Sequence, residues 1–375
     1  MMKALLEDEV AQLTGPRYAH DERRQANRWG QEDGYVVFAG RKVPLRRPRV
    51  RSAAGREVPL ERYRLFQGRG ALQEAVARRV IHGVSTRGYE GVLDAMCDGY
   101  GIRKSSVSRQ WKAASTKQLA ALMERRLDDL DLVAILLDGI EFQEYLLIVG
   151  LGIDSEGHKH VLGLWQGATE NTEVCLGLLA DLIERGLPTD RQYLFVLDGS
   201  KALRKAVRKT FSEQAAVQRC QVHKERNVLS HLPPKHHARV RQRLRAAWKM
   251  KSYQEAKDAL NKLVDFLTEL NPSAARSLEE GLEETLTLHR LGVPERLRQT
   301  LRSTNPIESC FARTRELCRN VKRWKNANMT WRWAGTMLVE AQKGFQRVRG
   351  YRELPLLAAS LTQGTPAVDA KEDAA

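Results

Sequence analysis

Cysteine and acidic residues are in short supply in this chain of 375 residues, and long apolar runs are missing. The five cysteines are scattered and odd in number, so they form no disulfide framework and a reducing cytoplasm is the expected location. No apolar run approaches the roughly 18 residues that a membrane-spanning helix needs. The opening MMKALLEDEV also lacks the apolar core of a signal peptide. These absences favour a cytoplasmic protein.

The deficit of acids leaves a strongly basic chain. There are 46 Asp and Glu residues against 62 Lys and Arg, a net charge of +16. Such a surplus favours a nucleic acid as partner, because protein cations displace the counterions condensed on it. A ribosome-associated or simply basic soluble protein is the alternative, and the clustering of the basic residues argues against it. At 42% apolar residues the chain is expected to be globular, with room for about two or three domains.

Residues 1–70 are predicted to form a basic arm. Residues 1–30 are polar and lack clear periodicity, and the strings YVVFAG and RKVPLRRPRVRS then predict a short hairpin or ribbon, broken by Pro44 and Pro48. Six basic residues and no acid lie within residues 41–51. Such a run is either a solvated face or an arm that lies along a phosphate backbone.

Residues 71–128 are predicted to form a helical, helix-turn-helix-like DNA-binding domain. The strings ALQEAVARRVIHG and YEGVLDAMCDG predict two helices, YGIRK a glycine-bearing turn, and SSVSRQWKAAS a third helix. That third helix would present a polar face to a DNA groove, made of Ser105, Ser106, Ser108, Arg109 and Lys112. An ordinary three-helix packing unit is the alternative.

Residues 129–223 change in character. Three apolar runs, LVAILLDGIEF, EYLLIVGLGID and KHVLGLWQG, fit an antiparallel meander. A helix that stops at Gly186, the strand QYLFVLDGS, the basic helix KALRKAVRKTF and the short strand AAVQRC follow. The order βββαβαβ is that of the RNase H-like fold, so the expected fold class is mixed α/β with such a core.

The rest of the chain carries no strand signal. Residues 224–302 are predicted to be an all-helical insertion, and residues 303–352 to be the final helices of the core. Residues 353–375 end in small and polar residues and are predicted to be a flexible tail.

Two aspartates, Asp138 and Asp198, each end an apolar run and precede a glycine, in VAILLDG and YLFVLDG. An ionised carboxylate in such a strand costs several kcal/mol unless something compensates it. A shared divalent cation, Mg²⁺ or Mn²⁺, would do so. Two turn aspartates are the alternative, although Ser200 is a better helix cap than Asp198. In an RNase H-like sheet the first and fourth strands are neighbours, which would bring the two acids side by side.

Glu308 lies in the string STNPIES. By local chemistry it is a capping-box residue, because Asn305 is a natural N-cap, Pro306 suits the first helical position and Glu308 the third. Capping and catalysis are compatible, since the first turn of a helix can aim a carboxylate inward.

Cys220 and His223 stand in a C-x-x-H arrangement. A structural zinc site needs four ligands, and His231, His236 and His237 supply no familiar second pair. A histidine just beyond a strand of the active sheet could instead hydrogen-bond a phosphate.

Basic and aromatic residues alternate after Glu308. The candidate phosphate-binding residues are Arg313, Arg315, Arg319, Lys322, Arg323 and Lys325. Trp324, Trp331 and Trp333 lie among them and are expected more often in a core than on a base. Trp248, in the helical insertion, either stacks on a distorted DNA end or packs internally.

Taken together, LLDG, VLDGS, RCQVHKERN, STNPIES and TRELCRNVKRW resemble the mutator-type insertion-sequence transposases of bacteria, a family of DDE recombinases. The resemblance covers about residues 130–350. It implies that Asp138, Asp198 and Glu308 hold two Mg²⁺ (or Mn²⁺) ions that cleave a transposon end and join the freed 3′-hydroxyl to target DNA.

The resemblance also implies partners and supporting roles. The partners would be the terminal inverted repeats and target DNA, synapsed by a homodimer in the bacterial cytoplasm at the nucleoid. His223 would contact the scissile phosphate, and Arg313 and Arg319 the DNA backbone. Three alternatives stay open: a non-catalytic DNA-binding derivative of such an enzyme, a nuclease or junction resolvase that hydrolyses without joining, and a basic RNA-binding factor.

Overall fold

The computed structural model describes residues 2–16, 26–38, 41–67, 69–83, 104–167, 171–212 and 215–363. The chain divides into two compact units, Met1–Lys117 and Gln118–Ala375. Helices occur together with two separate sheets, which confirms the mixed α/β class that the sequence predicts.

The first unit is built on a three-stranded antiparallel sheet. Its strands are β1 (Ala26–Phe38), β2 (Arg41–Ser52) and β3 (Glu57–Val58), in the order β1-β2-β3. The helices around it are α1 (Met2–Thr14), α2 (Glu61–Phe66), α3 (Arg69–Ile81) and the start of α4 (Lys104–Met123). Its small core consists of Leu6, Val10, Ala26, Val36, Val50, Leu60 and Tyr63.

The predicted ribbon is confirmed as the antiparallel pair of β1 and β2, but the structure differs from the prediction in two respects: the N-terminal residues are helical, and the prolines do not break the ribbon. Residues 2–14 form α1, whose Leu6 and Val10, one helical turn apart, are fully buried. The prolines do not end the ribbon, because Pro44 pairs with Tyr35 and Pro48 with Gln31, and the pairing continues beyond them after a register shift between Arg28 and Gln31. β2 pairs with β3 only at its far end, so within the described residues the outer edge beside the prolines has no strand partner and their missing N–H groups cost no ladder bond.

The predicted helix-turn-helix is described only at its two ends. The helix expected from ALQEAVARRVIHG is α3, and that expected from SSVSRQWKAAS lies within the longer α4. On α4, Val107 and Trp111 are buried, whereas Arg109 and Lys112 are exposed. The second predicted helix and the turn after it fall within residues 84–103, which lie outside the described residues.

The second unit contains a five-stranded sheet in the order β6-β5-β4-β7-β8. The strands are β4 (Leu132–Phe142), β5 (Tyr145–Asp154), β6 (Lys159–Gly167), β7 (Leu194–Leu197) and β8 (Ala216–Arg219). The first three form an antiparallel meander, whereas β7 runs parallel to β4 and to β8. With α5 (Thr172–Glu184) before β7 and α6 (Lys201–Phe211) after it, the predicted order βββαβαβ is confirmed.

Helices α5 and α6 cover one face of this sheet. The buried stripe of α5 is Cys175, Leu178, Leu179 and Leu182, at helical spacing. It packs with strand residues such as Ile135 and Phe195 in one apolar core. The predicted stop of α5 at Gly186 is confirmed, because this glycine takes a left-handed backbone (φ +98°) two residues after the helix.

The segment after β8 is helical, as predicted. It contains α7 (Gln221–Ser230), α8 (Pro234–Lys249), α9 (Tyr253–Leu270), α10 (Pro272–Glu279), a 3₁₀ turn (Glu283–Leu286), α11 (Thr287–Arg290) and α12 (Glu295–Leu301). Helices α7 to α10 and the 3₁₀ turn enclose a core of their own, which includes Val228, Leu244, Leu263 and Leu278. This helical segment therefore has an apolar core that is separate from the core between the sheet and helices α5 and α6.

The chain returns to the sheet through α13 (Asn305–Leu317) and α14 (Ala327–Gln342). A 3₁₀ turn (Tyr351–Glu353) and α15 (Leu354–Thr362) follow. The prediction of a flexible tail from residue 353 was therefore wrong for α15, whose Leu354, Leu357 and Leu361 are buried. Residues 364–375 lie outside the described residues. Within the described ranges, no helix is long and apolar enough to cross a membrane.

Candidate active site

Asp138 and Asp198 lie where the parallel pairing of β4 with β7 ends, Asp138 within β4 and Asp198 just after β7. The last paired residues of β4 and β7 are Leu137 and Leu197, and each aspartate follows directly. The predicted adjacency of the first and fourth strands is thus confirmed, and it sets the two carboxylates side by side at the carboxyl end of β7. Parallel pairing produces this meeting, because both chains leave the ladder in the same direction.

Asp198 occupies the turn between β7 and α6. Its Oδ1 accepts a hydrogen bond from the Ser200 N–H (2.9 Å), while the Ser200 hydroxyl caps α6 by accepting from the Leu203 N–H. Gly199 between them has φ +116°, and a Cβ there would lie 2.7 Å from Nε of Arg219. Ser200, not Asp198, is therefore the cap of α6, as the sequence predicted. The carboxylate of Asp198 is held only by the turn that follows it.

Asp138 is in the more costly environment of the two. Burial raises its pKa to about 7, and the negative charges of Asp198 and Glu308 add to the rise. The Gly139 N–H, 2.8 Å from Oδ1, and His223 act in the opposite direction. Throughout the described chain, neither Asp138 nor Asp198 forms a salt bridge with a Lys or Arg. The pair is thus a site of unbalanced negative charge, which a cation would relieve.

Glu308 is not the capping residue that the sequence suggested. Helix α13 starts at Asn305 with Thr304 as its N-cap, so Pro306 and Glu308 lie one position further into the helix than predicted. The N–H groups of Ile307 and Glu308 bond the Thr304 carbonyl. The carboxylate of Glu308 is therefore not needed to cap the helix. Its Oε1 instead accepts a hydrogen bond from the Thr304 hydroxyl (2.7 Å).

Cys220 and His223 lie at the start of α7, beside the carboxyl ends of β7 and β8. Cys220 is the N-cap of α7, and its Sγ accepts a hydrogen bond from the His223 N–H (3.5 Å). The Cys220 N–H donates to the carbonyl of Leu197, one residue before Asp198 (2.7 Å). The side chains of His223 and Glu308 are about a third exposed (28% and 34%), with Nδ1 3.9 Å from Oε1.

Hydrogen bonds set the electrostatics of this pair. Burial acts to raise the pKa of Cys220, but bonds from His223 and Thr304 outweigh it and lower the pKa of the thiol. The bond with Cys220 raises the pKa of His223 above its usual value against burial, and the charges of Asp198 and Glu308 add to this. The imidazole is therefore held toward its cationic form next to the acids.

The three acids supply oxygen ligands suited to Mg²⁺ or Mn²⁺. Asp138 senses the charges of both Asp198 and Glu308, so all three belong to one electrostatic site. In the part of the chain that the structure describes, however, the group of metal-ligating side chains with ligand atoms all within 4.8 Å is Cys220, His223 and Glu308. The carboxylate oxygens of Asp138, Asp198 and Glu308 thus do not all lie within that distance of one another.

The sequence reasoning missed Thr304. Its hydroxyl contacts Glu308, Cys220 and His223, and its side chain is fully buried. A signal was available in its position, four residues before Glu308 and directly before Asn-Pro, where a helix N-cap is common. Nothing in the sequence, however, links Thr304 to Cys220, which lies 84 positions earlier.

The predicted DNA-binding residues lie in different places. Arg109 and Lys112 are exposed on α4, and Arg313 and Arg315 are exposed on α13, where Arg313 pairs with Glu316. Arg319, Lys322 and Arg323 are exposed in the segment between α13 and α14. These side chains are free to meet a polyanion.

Trp248, Trp324 and Trp333 pack in the interior of the protein. Trp248 is 4% exposed and its indole N–H donates to the Thr285 hydroxyl, so the prediction that it stacks on DNA was wrong and the packing alternative holds. Trp324 packs on Phe142 at the end of β4, with ring centroids 4.7 Å apart. Trp333 is also buried. These rings belong to the apolar interior of the protein, because removing their large apolar surface from water stabilises the folded state.

An α/β sheet with a cluster of acids at the end of its central strands is typical of a metal-dependent enzyme. A family model described as "Transposase, Mutator family" matches residues 1–348. The chain therefore belongs to the Mutator family of transposases, and the resemblance seen in its motifs is confirmed.

Individual relatives agree with the family. The chain is 29% identical over 364 residues to the transposase for insertion sequence element ISRM5 of Rhizobium meliloti (strain 1021), covering 94% of this chain and 88% of that protein. It is 25% identical over 342 residues to the transposase for insertion sequence element IS256 in transposon Tn4001 of Staphylococcus aureus, covering 88% and 84%. The match with the transposase for insertion sequence element IST2 of Acidithiobacillus ferrooxidans is 30% over 197 residues, 52% of this chain and 65% of that protein.

Proposed function

We propose that this protein is a DDE transposase that binds the terminal inverted repeats of an insertion sequence, cleaves the DNA there and joins the 3′-hydroxyl end to target DNA. The observation that carries the proposal is the pair Asp138 and Asp198, set side by side by parallel strands and, among the described residues, without a salt bridge to a Lys or Arg. The order of the five strands, three antiparallel and two parallel, supports an RNase H-like core.

Asp138, Asp198 and Glu308 would hold two Mg²⁺ or Mn²⁺ ions. When bound, such ions activate water or a 3′-hydroxyl and stabilise the leaving oxygen. The chain itself supplies the shape of the site: β4 and β7 fix the two aspartates, and α13 carries the glutamate. His223, partly exposed and held toward its cationic form, is suited to contact the scissile phosphate.

The partner of this site is DNA. The net charge of +16 and the exposed cations beside α13 support binding to the backbone, with Arg313, Arg315, Arg319, Lys322 and Arg323 as contacts. Arg109 and Lys112, exposed on α4, belong to the region 71–128 that we propose for recognition of the ends. Two ends must be synapsed, so a homodimer in the bacterial cytoplasm, at the nucleoid, is the proposed working form.

The competing function is a DNA-binding derivative that has lost catalysis. Retention of all three acids argues against it, because a carboxylate cluster without a metal is electrostatically costly. A nuclease or resolvase on the same fold would cleave without joining. A pre-cut end that becomes joined to target DNA excludes both.

The test uses DNA fragments that carry the ends of the insertion element encoding this chain. The variant Glu308→Gln keeps the size of the side chain and removes its charge, so cleavage should fall at least about 10³-fold while end binding is retained. Glu316→Gln, on the exposed face of the same helix, is the matched control and should cleave as the wild type does. Cleavage that survives Glu308→Gln would remove Glu308 from the site.

A further inference from the structure

The hydroxyl of Thr304 lies at the centre of a small polar cluster, which we call the Thr304 cluster: Cys220, His223, Thr304 and Glu308. Its Oγ1 is 2.7 Å from Oε1 of Glu308, 3.4 Å from Sγ of Cys220 and 3.4 Å from Nδ1 of His223. The three partners come from two helices, α7 and α13, and their ligand atoms all lie within 4.8 Å of one another. One buried oxygen atom therefore joins the C-x-x-H residues to the acid of α13.

Proton counting assigns the direction of these contacts. A hydroxyl carries one proton and two lone pairs. The bond to Glu308 is the shortest of the three and its acceptor is a carboxylate, so the hydroxyl donates there. That proton is then not available to Cys220, whose Sγ accepts the N–H groups of His223 and Thr304 instead, and a lone pair of the hydroxyl faces Nδ1 of His223. Glu308 thus has one oxygen fixed by Thr304, and its other oxygen is left for a further partner.

Thr304 itself is tightly held. Its side chain is fully buried, its N–H donates to Sγ of Cys220 (3.4 Å), and its carbonyl accepts the first N–H groups of α13. Cys220 is in turn bonded through its N–H to the carbonyl of Leu197, the residue before Asp198. A chain of short contacts therefore runs from the strand end that carries Asp198 to the carboxylate of Glu308.

We propose that Thr304 is a positioning residue that orients the Glu308 carboxylate toward Asp138 and Asp198, and that Cys220 and His223 act by holding Thr304. This inference rests on the proposed function, in which the three acids share a metal site. It gives the C-x-x-H residues a hydrogen-bonding role in place of zinc binding. Partners of metal ligands affect metal affinity or activity by about 10–100-fold.

The main test replaces Thr304 in the full-length protein. Thr304→Val keeps the shape of the side chain and removes the hydroxyl, whereas Thr304→Ser keeps the hydroxyl. Thr314→Val is the matched control, because Thr314 is equally buried, lies on the helix that Thr304 caps, and donates its hydroxyl to the Cys310 carbonyl. Thr304→Ala removes the hydroxyl without filling its space and replaces the valine variant if thermal denaturation finds that variant unfolded.

The first readout does not depend on activity. Fe²⁺ loaded in place of Mg²⁺, with ascorbate and peroxide, cuts a polypeptide next to the bound ion. The wild type, Thr304→Ser and Thr314→Val should be cut near residues 138, 198 and 308. Thr304→Val should keep the cuts near 138 and 198 and lose the cut near 308. An unchanged pattern in Thr304→Val, or a wild type cut at the two aspartates but not near 308, overturns the inference.

The second readout is cleavage of end DNA in a single turnover. Thr304→Val should slow it about 10–100-fold and raise the Mn²⁺ concentration needed for half-maximal rate, and Thr304→Ser should restore both. A wild type that neither cleaves DNA nor is cut by Fe²⁺ refutes the proposed function and the inference with it. A wild type that does both, with Thr304→Val behaving alike, refutes the inference alone. One zinc ion per purified chain would also overturn it.

Discussion

At the scale of single residues, the chemistry of this protein depends on carboxylates held in positions that destabilise their ionised form. Asp138 is the strongest case, since burial raises its pKa to about 7 and the nearby acids raise it further. An ordinary solvent-exposed aspartate has a pKa near about 4. The difference means that the folded, metal-free protein bears a cost for keeping Asp138 ionised, which a bound divalent cation would remove.

This cost predicts how the stability of the metal-free protein depends on pH. Because the pKa of Asp138 is raised on folding, its contribution to stability is fully present below about pH 4 and is lost as pH rises through about 7. In Asp138→Asn the side chain cannot ionise, so its contribution to stability does not fall as the pH rises. In EDTA, the variant should therefore gain on the wild type between pH 4 and pH 8, by at most about 4 kcal/mol.

Urea denaturation at several pH values measures the effect. Mn²⁺ should narrow the gap at pH 8 by stabilising the wild type alone. Asp128→Asn is the control, because Asp128 is exposed and paired with Arg126, so its removal should change the stability little at any pH. A gap between Asp138→Asn and the wild type that does not vary with pH would contradict the environment described for Asp138.

At the scale of elements, two buried basic side chains hold the end of α10 in the helical insertion. Lys224 of α7 is fully buried, and its Nζ donates to the carbonyls of Ser277 (2.5 Å) and Glu280 at the end of α10. Arg219, the last residue of β8, also donates to the Glu280 carbonyl (3.0 Å). These carbonyls belong to the last turn of a helix, where no helical N–H is available to them. The two basic side chains thus cap the end of α10, and Lys224 joins it to α7 while Arg219 joins it to the sheet.

Replacing Lys224 should loosen this attachment. Lys224→Met keeps the length of the side chain but leaves the Ser277 carbonyl without a donor in a buried place, which should lower the free energy of unfolding by about 1–3 kcal/mol. Amide hydrogen exchange should also become faster around residues 277–282 than elsewhere. Lys262→Met, at an exposed position on α9, is the control and should leave both quantities unchanged. Uniformly faster exchange would mean that Lys224 supports the whole unit rather than this joint.

At the scale of the whole molecule, the positive charge is the property that DNA would sense first. The chain carries a net charge of +16, and the segment between α13 and α14 exposes Arg319, Lys322 and Arg323. This segment follows directly on the helix that carries Glu308, and Trp324 anchors it to the end of β4. Its cations are therefore held close to the element that carries the third acid.

Removal of two of these cations should be visible in the salt dependence of DNA binding. The double variant Arg319→Gln with Lys322→Gln should lower the slope of log affinity against log salt by about two, because each phosphate contact contributes about 0.9. The charge-matched control, Lys262→Gln with Arg276→Gln, removes two exposed cations from the insertion and should leave the slope near that of the wild type. Equal slopes for the two double variants would place the DNA elsewhere.

Many elements of this protein could be predicted from its sequence. The three apolar runs, the stop at Gly186 and the cap at Ser200 follow from local rules, because periodicity, glycine conformation and hydroxyl capping act within a few residues. The order of the elements then made β4 and β7 neighbours and brought Asp138 and Asp198 together. The division of the chain into a basic arm, a recognition domain and an interrupted core stays a prediction.

Other features depended on contacts between distant parts of the chain. Helix α1 was missed because the third of its buried residues, Thr14, is polar, and the apolar Leu5 and Leu13 are exposed, which hides the helical spacing of Leu6 and Val10. The buried position of Trp248 depends on its hydrogen bond to Thr285, which is distant in sequence. The start of α13 depends on the hydrogen bonds that the Thr304 carbonyl accepts.

The sequence alone thus determined which residues could carry the chemistry, since strand patterns and short motifs record local energetics. Tertiary structure alone decided how they are held. A bond from Cys220 to Thr304 spans 84 positions, and the pKa of Asp138 is set by a buried space and by charges from other elements. Burial and Coulomb interactions depend on distance through space, and no spacing along the chain contains that distance.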